Sequence, residues 1–176
     1  MRKKFLLIPF LVFISILTVF FYLLINNRDP SIIPSTLIDK KAPIIESKSL
    51  FSKKKFLSNN EFGGEIILIN YFATWCKPCR NEHIFLRKLS SEDGIKIIGI
   101  NYKDNNKKTL DWLKELGNPY SNVVIDRDGR IAIDWGVYGI PETFIVNSES
   151  VIKYRHVGPI NNKIYKIIKK EIKKNK

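Results

Sequence analysis

Residues 65–79 read EIILINYFATWCKPC, and this stretch decides the fold. Its first eight residues form a nearly continuous apolar run, which is typical of a strand covered on both faces of a sheet. From Cys76 to about Ser90, apolar side chains on one side and basic side chains on the other predict an amphipathic helix. The chain's only two cysteines therefore lie where a buried strand passes into a helix.

The spacing of the two cysteines allows a disulfide across a single helical turn. Cys76 would lie at the helix N-terminus, where free N–H groups and the helix dipole stabilise a thiolate, and Lys77 adds positive charge beside it. Cys79 lies further into the helix and is expected to be the more buried, resolving thiol. Because so short a loop gains little stability from cross-linking, the pair is better explained as a redox switch than as a structural staple.

The segments that follow this motif complete an α/β domain with a central sheet flanked by helices. Further strands are predicted at 95–101, 123–125, 143–146 and 151–156, and further helices at 107–116 and 161–174, with a turn at 126–129.

The N-terminal segment predicts a membrane anchor. Phe5–Ile25 carries no charge, and as a helix it would be about 30 Å long, the thickness of a bilayer core. The run is longer than the apolar core of a signal peptide and lacks an Ala-x-Ala cleavage pattern, which favours an uncleaved anchor. The three basic residues before the span place the N-terminus in the cytoplasm by the positive-inside rule.

This orientation predicts a bacterial inner-membrane protein with a single span and its folded domain on the periplasmic side. The expected layout is a cytoplasmic flank at 1–4, a transmembrane anchor at 5–25, a linker at 26–41 and a domain at 42–176.

The net charge of +13 invites a nucleic-acid interpretation, but its distribution argues against one. Residues 1–57 carry +7, residues 58–160 are neutral and residues 161–176 carry +6. The basic residues are mostly lysine, whereas arginine is favoured for binding phosphate with a planar fork. No nucleic-acid partner is therefore expected.

Four stretches of the chain resemble one family. Residues 72–79 are similar to the active-site segment of thioredoxin-fold proteins. Residues 99–104 (GINYKD), 112–120 (WLKELGNPY) and above all 136–144 (GVYGIPETF) resemble the DsbE-type, or CcmG-type, thiol:disulfide interchange proteins of cytochrome c maturation. The resemblance runs from about residue 42 to residue 165. It implies a thioredoxin-like fold, with a central mixed β-sheet flanked by α-helices, behind one N-terminal transmembrane helix.

The resemblance also implies roles for residues around the dithiol. Ile140–Pro141 is expected to be a cis peptide beside the disulfide, with the backbone before Pro141 pairing with substrate like an added strand. Ordinary thioredoxins carry a buried Asp six residues before the first cysteine, where this chain has Asn70, which cannot titrate. Glu82 and Glu142 match the carboxylates of the family's acidic site, and either could accept the Cys79 proton.

Four further residues complete the predicted site. Trp75 is expected to cover one side of the disulfide. Tyr138 is expected to line the substrate groove, with a packing role equally compatible with the sequence. Lys77 and Pro78 lie between the cysteines as modulators, although Lys77 also suits a merely solvated position.

Metal binding by the thiols is an alternative to redox chemistry. A structural zinc site needs four ligands, and only Cys76, Cys79, His83 and His156 are candidates. A copper-delivery site of Cys76, Cys79 and His83 is chemically reasonable, because His83 lies one turn after Cys79. Thioredoxin-like copper chaperones, however, space their cysteines by three residues rather than two. His83 is expected to be a half-exposed helix residue, and neither a metal nor a cofactor is predicted.

The predicted function is therefore a protein-disulfide reductase that uses a Cys76/Cys79 dithiol–disulfide cycle. The resemblance implies apocytochrome c as substrate, a transmembrane electron donor of the DsbD or CcdA kind, and contact with the cytochrome c maturation or haem-lyase complex. A broad-specificity thiol:disulfide oxidoreductase, a copper-delivery protein and a haem-lyase scaffold with incidental thiols are the alternatives.

Overall fold

The computed structural model describes residues 7–25, 35–52, 55–58, 62 and 64–175. The chain divides into two units, residues 1–34 and residues 35–176, and each is described by itself. In the first unit, α1 (Leu7–Ile25) is a helix with largely exposed side chains, and its segment Leu7–Leu24 is long and apolar enough to cross a membrane. The predicted cytoplasmic flank and residues 26–34 of the predicted linker lie outside the described residues.

The second unit contains a small hairpin, a five-stranded sheet and four helices among its described residues. Its elements are β1 (Glu46–Lys48), β2 (Lys55–Leu57), β3 (Ile67–Phe72), α2 (Lys77–Ser91), β4 (Lys96–Tyr102), α3 (Asn106–Leu116), β5 (Asn122–Asp126), α4 (Arg130–Asp134), β6 (Glu142–Val146), β7 (Ile152–Val157) and α5 (Asn162–Lys174). The sheet has the order β5-β4-β3-β6-β7, in which β3, β4 and β5 are parallel and β6 and β7 run antiparallel to their neighbours. The predicted mixed central sheet is confirmed.

The central strand β3 is buried on both faces. Leu68 and Phe72 face a hydrophobic cluster that includes side chains of α2, α3 and α5. Ile69 and Tyr71 face a second cluster that includes Trp135. Because both faces are apolar, the strand shows no polar–apolar alternation in the sequence. This covered strand holds the start of α2 at the carboxyl edge of the sheet.

The folded unit begins earlier than the sequence analysis placed it. Residues 35–41 were expected to belong to the linker, but the backbone N–H of Asp39 donates to the carbonyl of Ile152 (2.8 Å). The N–H of Ile152 in turn donates to the carbonyl of Lys40 (2.9 Å). So short a pairing has no periodicity of its own, because it exists only where β7 supplies the partner.

The β1–β2 hairpin and the helix α4 were absent from the sequence prediction, because both consist of segments too short to show a periodic pattern. The strands β1 and β2 have three residues each, too few for alternation to be recognised. The strand β1 lies beside β5, where the Ser47 hydroxyl donates to the carbonyl of Ile125 (2.6 Å). The five-residue helix α4 follows the predicted turn, and the buried Asp126 carboxylate accepts the N–H groups of Ile131 (3.2 Å) and Ala132 (3.0 Å).

Candidate active site

Cys76 and Cys79 form a disulfide at the start of α2. Cys76 is the N-cap of the helix, and its Sγ accepts a hydrogen bond from the N–H of Cys79 (3.2 Å). Pro78 lies in the first turn, where a missing N–H breaks no helical bond. Cys76 is 5% exposed and Cys79 is 1% exposed, so the accessible surface of the dithiol belongs mainly to Cys76.

The loop before β6 lies against the disulfide. Ile140–Pro141 is a cis peptide, as expected, and the carbonyl oxygen of Ile140 lies 3.7 Å from Cys76 Sγ. Pro141 is buried and Ile140 is half-buried, while Tyr138 is 47% exposed. The structure therefore brings all three predicted substrate-binding residues into one loop, with Ile140 at the sulfur and Tyr138 at the surface.

Glu142 and Arg155 together form a clamp that holds this loop in place. The Glu142 carboxylate is fully buried and accepts the backbone N–H groups of Tyr138 (3.2 Å) and Gly139 (3.4 Å). Arg155 on β7 donates to it from Nε (2.8 Å) and pairs with it through Nη2 (2.7 Å). The Arg155 guanidinium also donates to the Gly136 carbonyl (3.0 Å) and lies 5.0 Å from the Tyr138 ring centroid.

Glu82 lies on α2 one turn after Cys79 and is also fully buried. Its Oε1 accepts a hydrogen bond from Asn70 Nδ2 (2.8 Å), and its Oε2 accepts one from the N–H of Ile160 (2.9 Å). Residues three apart on a helix share a face, so Glu82 and Cys79 face the same side of α2. Neither predicted carboxylate is a surface acid.

Burial raises the pKa of both carboxyl groups, but their partners differ. The pKa of Glu82 rises to about 7, because desolvation outweighs the two hydrogen bonds from neutral donors. Burial also raises the pKa of Glu142, against which the hydrogen bonds and charge of Arg155 act. Glu82 thus has a proton equilibrium near neutral pH, which is where a general base works best.

Trp75, Lys77 and Pro78 are exposed around the mouth of the site. Trp75 is 60% exposed, and its indole N–H donates to the carbonyl of Lys103 (3.3 Å). The preceding residue Thr74 is fixed by Asp104, whose carboxylate accepts the Thr74 N–H (2.5 Å) and hydroxyl (2.9 Å). These contacts hold the loop between β3 and α2 against the segment that follows β4.

The expectation that His83 is half-exposed is wrong. His83 is 2% exposed, its Nε2 donates to the carbonyl of Gly117 (2.7 Å), and its ring meets Trp112 edge-on at 4.4 Å between centroids. The apolar face of α2 continues through His83, and burial lowers its pKa. The described residues contain no group of three His, Cys, Asp or Glu side chains that could hold a metal ion.

Sequence reasoning missed several partners of the predicted residues. Arg155 belongs to the predicted strand 151–156 and has no predicted role in the site. Tyr120, Thr143 and Asp104 lie in stretches that resemble the family, but they have no predicted role either. One signal was present, because Asn70 is a polar residue inside an apolar strand and such a residue needs a buried partner. The identity of that partner depends on the register of neighbouring strands.

Comparison with known proteins assigns the family. Residues 38–170 match the Redoxin family. The thiol:disulfide interchange protein DsbE of Escherichia coli K12 is 41% identical over 169 residues, which cover 94% of this chain and 91% of that protein. This chain is a member of the DsbE-type thiol:disulfide interchange proteins. The DsbE protein of Haemophilus influenzae is 43% identical over 168 residues, covering 94% of this chain and 92% of that protein.

The solved structures agree with this fold. The crystal structure of a putative DsbE protein from Chlorobium tepidum matches with a TM-score of 0.67 and 19% identity, over 77% of this chain and 94% of that one. The DsbE-type chain is thus a thioredoxin-like thiol:disulfide oxidoreductase, as predicted, and its N-terminal apolar helix fits a signal-anchor.

Proposed function

We propose that this DsbE-type protein is a membrane-anchored reductase of apocytochrome c, in which Cys76 and Cys79 are the catalytic residues. Its α1 helix anchors it in the bacterial inner membrane, with the folded domain on the periplasmic side. The observation that carries the proposal is the Cys76–Cys79 disulfide, in which the more exposed residue, Cys76, has its Sγ 3.7 Å from the Ile140 carbonyl in the GVYGIPETF loop.

The reductive half-cycle moves two electrons from the dithiol to the substrate. The Cys76 thiolate attacks a substrate disulfide, so that one substrate sulfur leaves as a thiolate and a mixed disulfide forms. Cys79 then loses its proton and attacks Cys76 Sγ, which releases the second substrate sulfur and forms the Cys76–Cys79 bond. A transmembrane donor of the DsbD or CcdA kind returns two electrons to this disulfide, in a complex that includes the haem-attachment machinery.

The surrounding residues have separate roles in this proposal. The backbone at Ile140, just before Pro141, pairs with the extended substrate chain as an added strand. Tyr138 and Trp75 contribute exposed aromatic surface beside the sulfur atoms. Glu82 accepts the Cys79 proton, and Glu142 holds the substrate-binding loop. Lys77 and Pro78, the two residues between the cysteines, modulate the reactivity of the dithiol.

A cysteine trap tests the proposal. In full-length Cys79→Ser protein, the mixed disulfide at Cys76 cannot be resolved, so we expect covalent adducts with apocytochrome c on a non-reducing gel. The matched control is Cys76→Ser/Cys79→Ser, which should form none. A wide set of unrelated adducts would show that the protein has a broad substrate range and is not specific for apocytochrome c. The absence of any adduct would contradict the redox cycle.

A further inference from the structure

A buried amide lies at the centre of the site. Asn70 is fully buried in the middle of β3, where Thr143 of β6 lies opposite it on one side and Gly99 of β4 on the other. An amide in this position costs free energy unless its hydrogen-bonding groups have partners. Asn70 cannot exchange a proton, so any role that it has in the site acts through its neighbours.

Both N–H groups of the Asn70 amide and its oxygen have hydrogen-bond partners. Its Nδ2 donates to Glu82 Oε1 (2.8 Å) and to Thr143 Oγ1 (3.1 Å). Its Oδ1 accepts a hydrogen bond from the Tyr120 hydroxyl (2.9 Å). The reversed amide would turn its oxygen towards the Glu82 carboxylate and its NH₂ group towards the Tyr120 hydroxyl. The ionised Glu82 carboxylate can only accept, whereas a hydroxyl can donate or accept, so Glu82 fixes the orientation of the amide and the Tyr120 hydroxyl completes it by donating to Oδ1.

Gly99 makes room for this arrangement. A Cβ atom at position 99 would lie 2.8 Å from Phe72 Cε1 and 3.0 Å from Tyr120 Cδ1, which is too close for real carbon atoms. The Tyr120 ring stacks on Phe72 with 4.7 Å between centroids. The missing side chain thus lets Tyr120 lie against the sheet with its hydroxyl at Asn70.

The groups around Glu82 come from several elements. The sheet contributes Asn70, the loop before β5 contributes Tyr120, the segment before α5 contributes the Ile160 amide, and α2 contributes Cys79 one turn earlier. Only the tyrosine and the cysteine titrate, and burial together with the charge of Glu82 raises the pKa of Tyr120 well above its usual range. In the described part of the chain, Glu82 has no ion pair.

We infer that Asn70 is a positioning residue that orients the Glu82 carboxylate and stabilises its ionised form for accepting the Cys79 proton. The inference rests on the proposed role of Glu82. When Cys79 attacks Cys76 Sγ, its proton passes to Glu82, while Asn70 supplies a hydrogen bond and takes up no proton. An Asp at position 70 would instead compete with Glu82 for one proton.

The experiment follows the resolving step in full-length protein in detergent. Reduced protein is mixed with dithiobis(nitrobenzoate), which forms a thionitrobenzoate adduct at Cys76, and the attack of Cys79 then releases the second thionitrobenzoate. Its rate is recorded against pH for the wild type, Asn70→Leu, Glu82→Gln and the double variant Asn70→Leu/Glu82→Gln. The infrared band of the protonated Glu82 carboxyl is titrated in parallel, with Glu82→Gln as the blank.

The expected result is a shift that depends on Glu82. Loss of a hydrogen bond to a carboxylate disfavours its ionised form, so Asn70→Leu should raise the pH midpoint by about one unit and slow the step roughly tenfold below that midpoint. The double variant should match Glu82→Gln alone. Tyr120→Phe keeps the stacked ring and removes only the hydroxyl, so it should shift the midpoint the same way by less, even if Asn70→Leu folds poorly.

Two outcomes would overturn the inference. One is an unchanged infrared titration of Glu82 in both Asn70→Leu and Tyr120→Phe. The other is an equal effect of Asn70→Leu with and without Glu82, which would show a merely structural role. Failure of the proposed function has a different signature, because the Cys79→Ser trap would then yield no apocytochrome c adduct whatever the Asn70 variants do.

Discussion

The two predicted carboxylates of the site, Glu82 on α2 and Glu142 at the start of β6, are both fully buried, but the charges of their hydrogen-bond partners differ. Glu142 faces a guanidinium and two backbone amides, and their hydrogen bonds and charge oppose the rise in its pKa that burial causes. Glu82 faces only neutral donors, and its pKa of about 7 leaves it free to gain and lose a proton. Burial alone thus does not decide the pKa of an acid in a site, because the charge of its hydrogen-bond partners also acts on it.

The largest expected effect comes from breaking the clamp. Arg155→Met leaves the Glu142 carboxylate buried without its cation, so we expect a loss of about 3–5 kcal/mol in the free energy of unfolding, measured with urea. Lys153→Met is the matched control, because Lys153 lies on the same strand as Arg155 but pairs with the exposed Asp39. Its loss should cost less than about 1 kcal/mol in the free energy of unfolding. Equal losses in the two variants would contradict the clamp.

A second prediction concerns the pH dependence of stability on the Glu82 side. The folded-state pKa of Glu82 is raised from 4.5 to about 7, so the folded protein holds this proton more tightly than the unfolded chain. The resulting stabilisation is fully present below about pH 4.5 and is lost as the pH rises to about 7. Relative to Glu82→Gln, the wild type should lose about 3 kcal/mol across this window.

The same measurement distinguishes the two acids. Urea unfolding at several pH values should show the difference between wild type and Glu82→Gln falling between pH 4.5 and 7 and staying constant above that range. A difference that is flat across the whole range would contradict the raised pKa of Glu82.

The smallest predicted effect concerns packing at two glycines, Gly99 beside Tyr120 on the Glu82 side of the site and Gly139 on the Glu142 side. Gly99→Ala places a Cβ atom 2.8 Å from Phe72 and should cost about 1–3 kcal/mol in unfolding free energy while displacing Tyr120. Gly139→Ala, on the Glu142 side, meets no atom within 4 Å and serves as the control. A Gly99→Ala protein as stable as the control would show that the Tyr120 ring does not need this space.

Local features of the site could be predicted because they depend on neighbours in the chain. The apolar run of β3 and the cysteine at the start of α2 follow from short-range pattern and spacing, and both are confirmed. The mixed sheet, also confirmed, is what the resemblance to DsbE-type proteins implies. The exposure of His83 could not be predicted, since α2 packs against Trp112 from a helix about 30 residues later. The β1–β2 hairpin likewise needs β5 beside it.

The sequence by itself determined that two cysteines lie at a helix N-terminus and that an apolar segment long enough to span a membrane precedes the folded domain. The two acids and the Pro-containing loop came from the resemblance to DsbE-type proteins. Only the tertiary structure decided how the two acids differ. The Ile160 amide reaches Glu82 across 78 residues, and Arg155 on β7 reaches Glu142 across 13. Desolvation and partner charge set a carboxyl pKa, and both depend on which distant segments pack together rather than on local spacing.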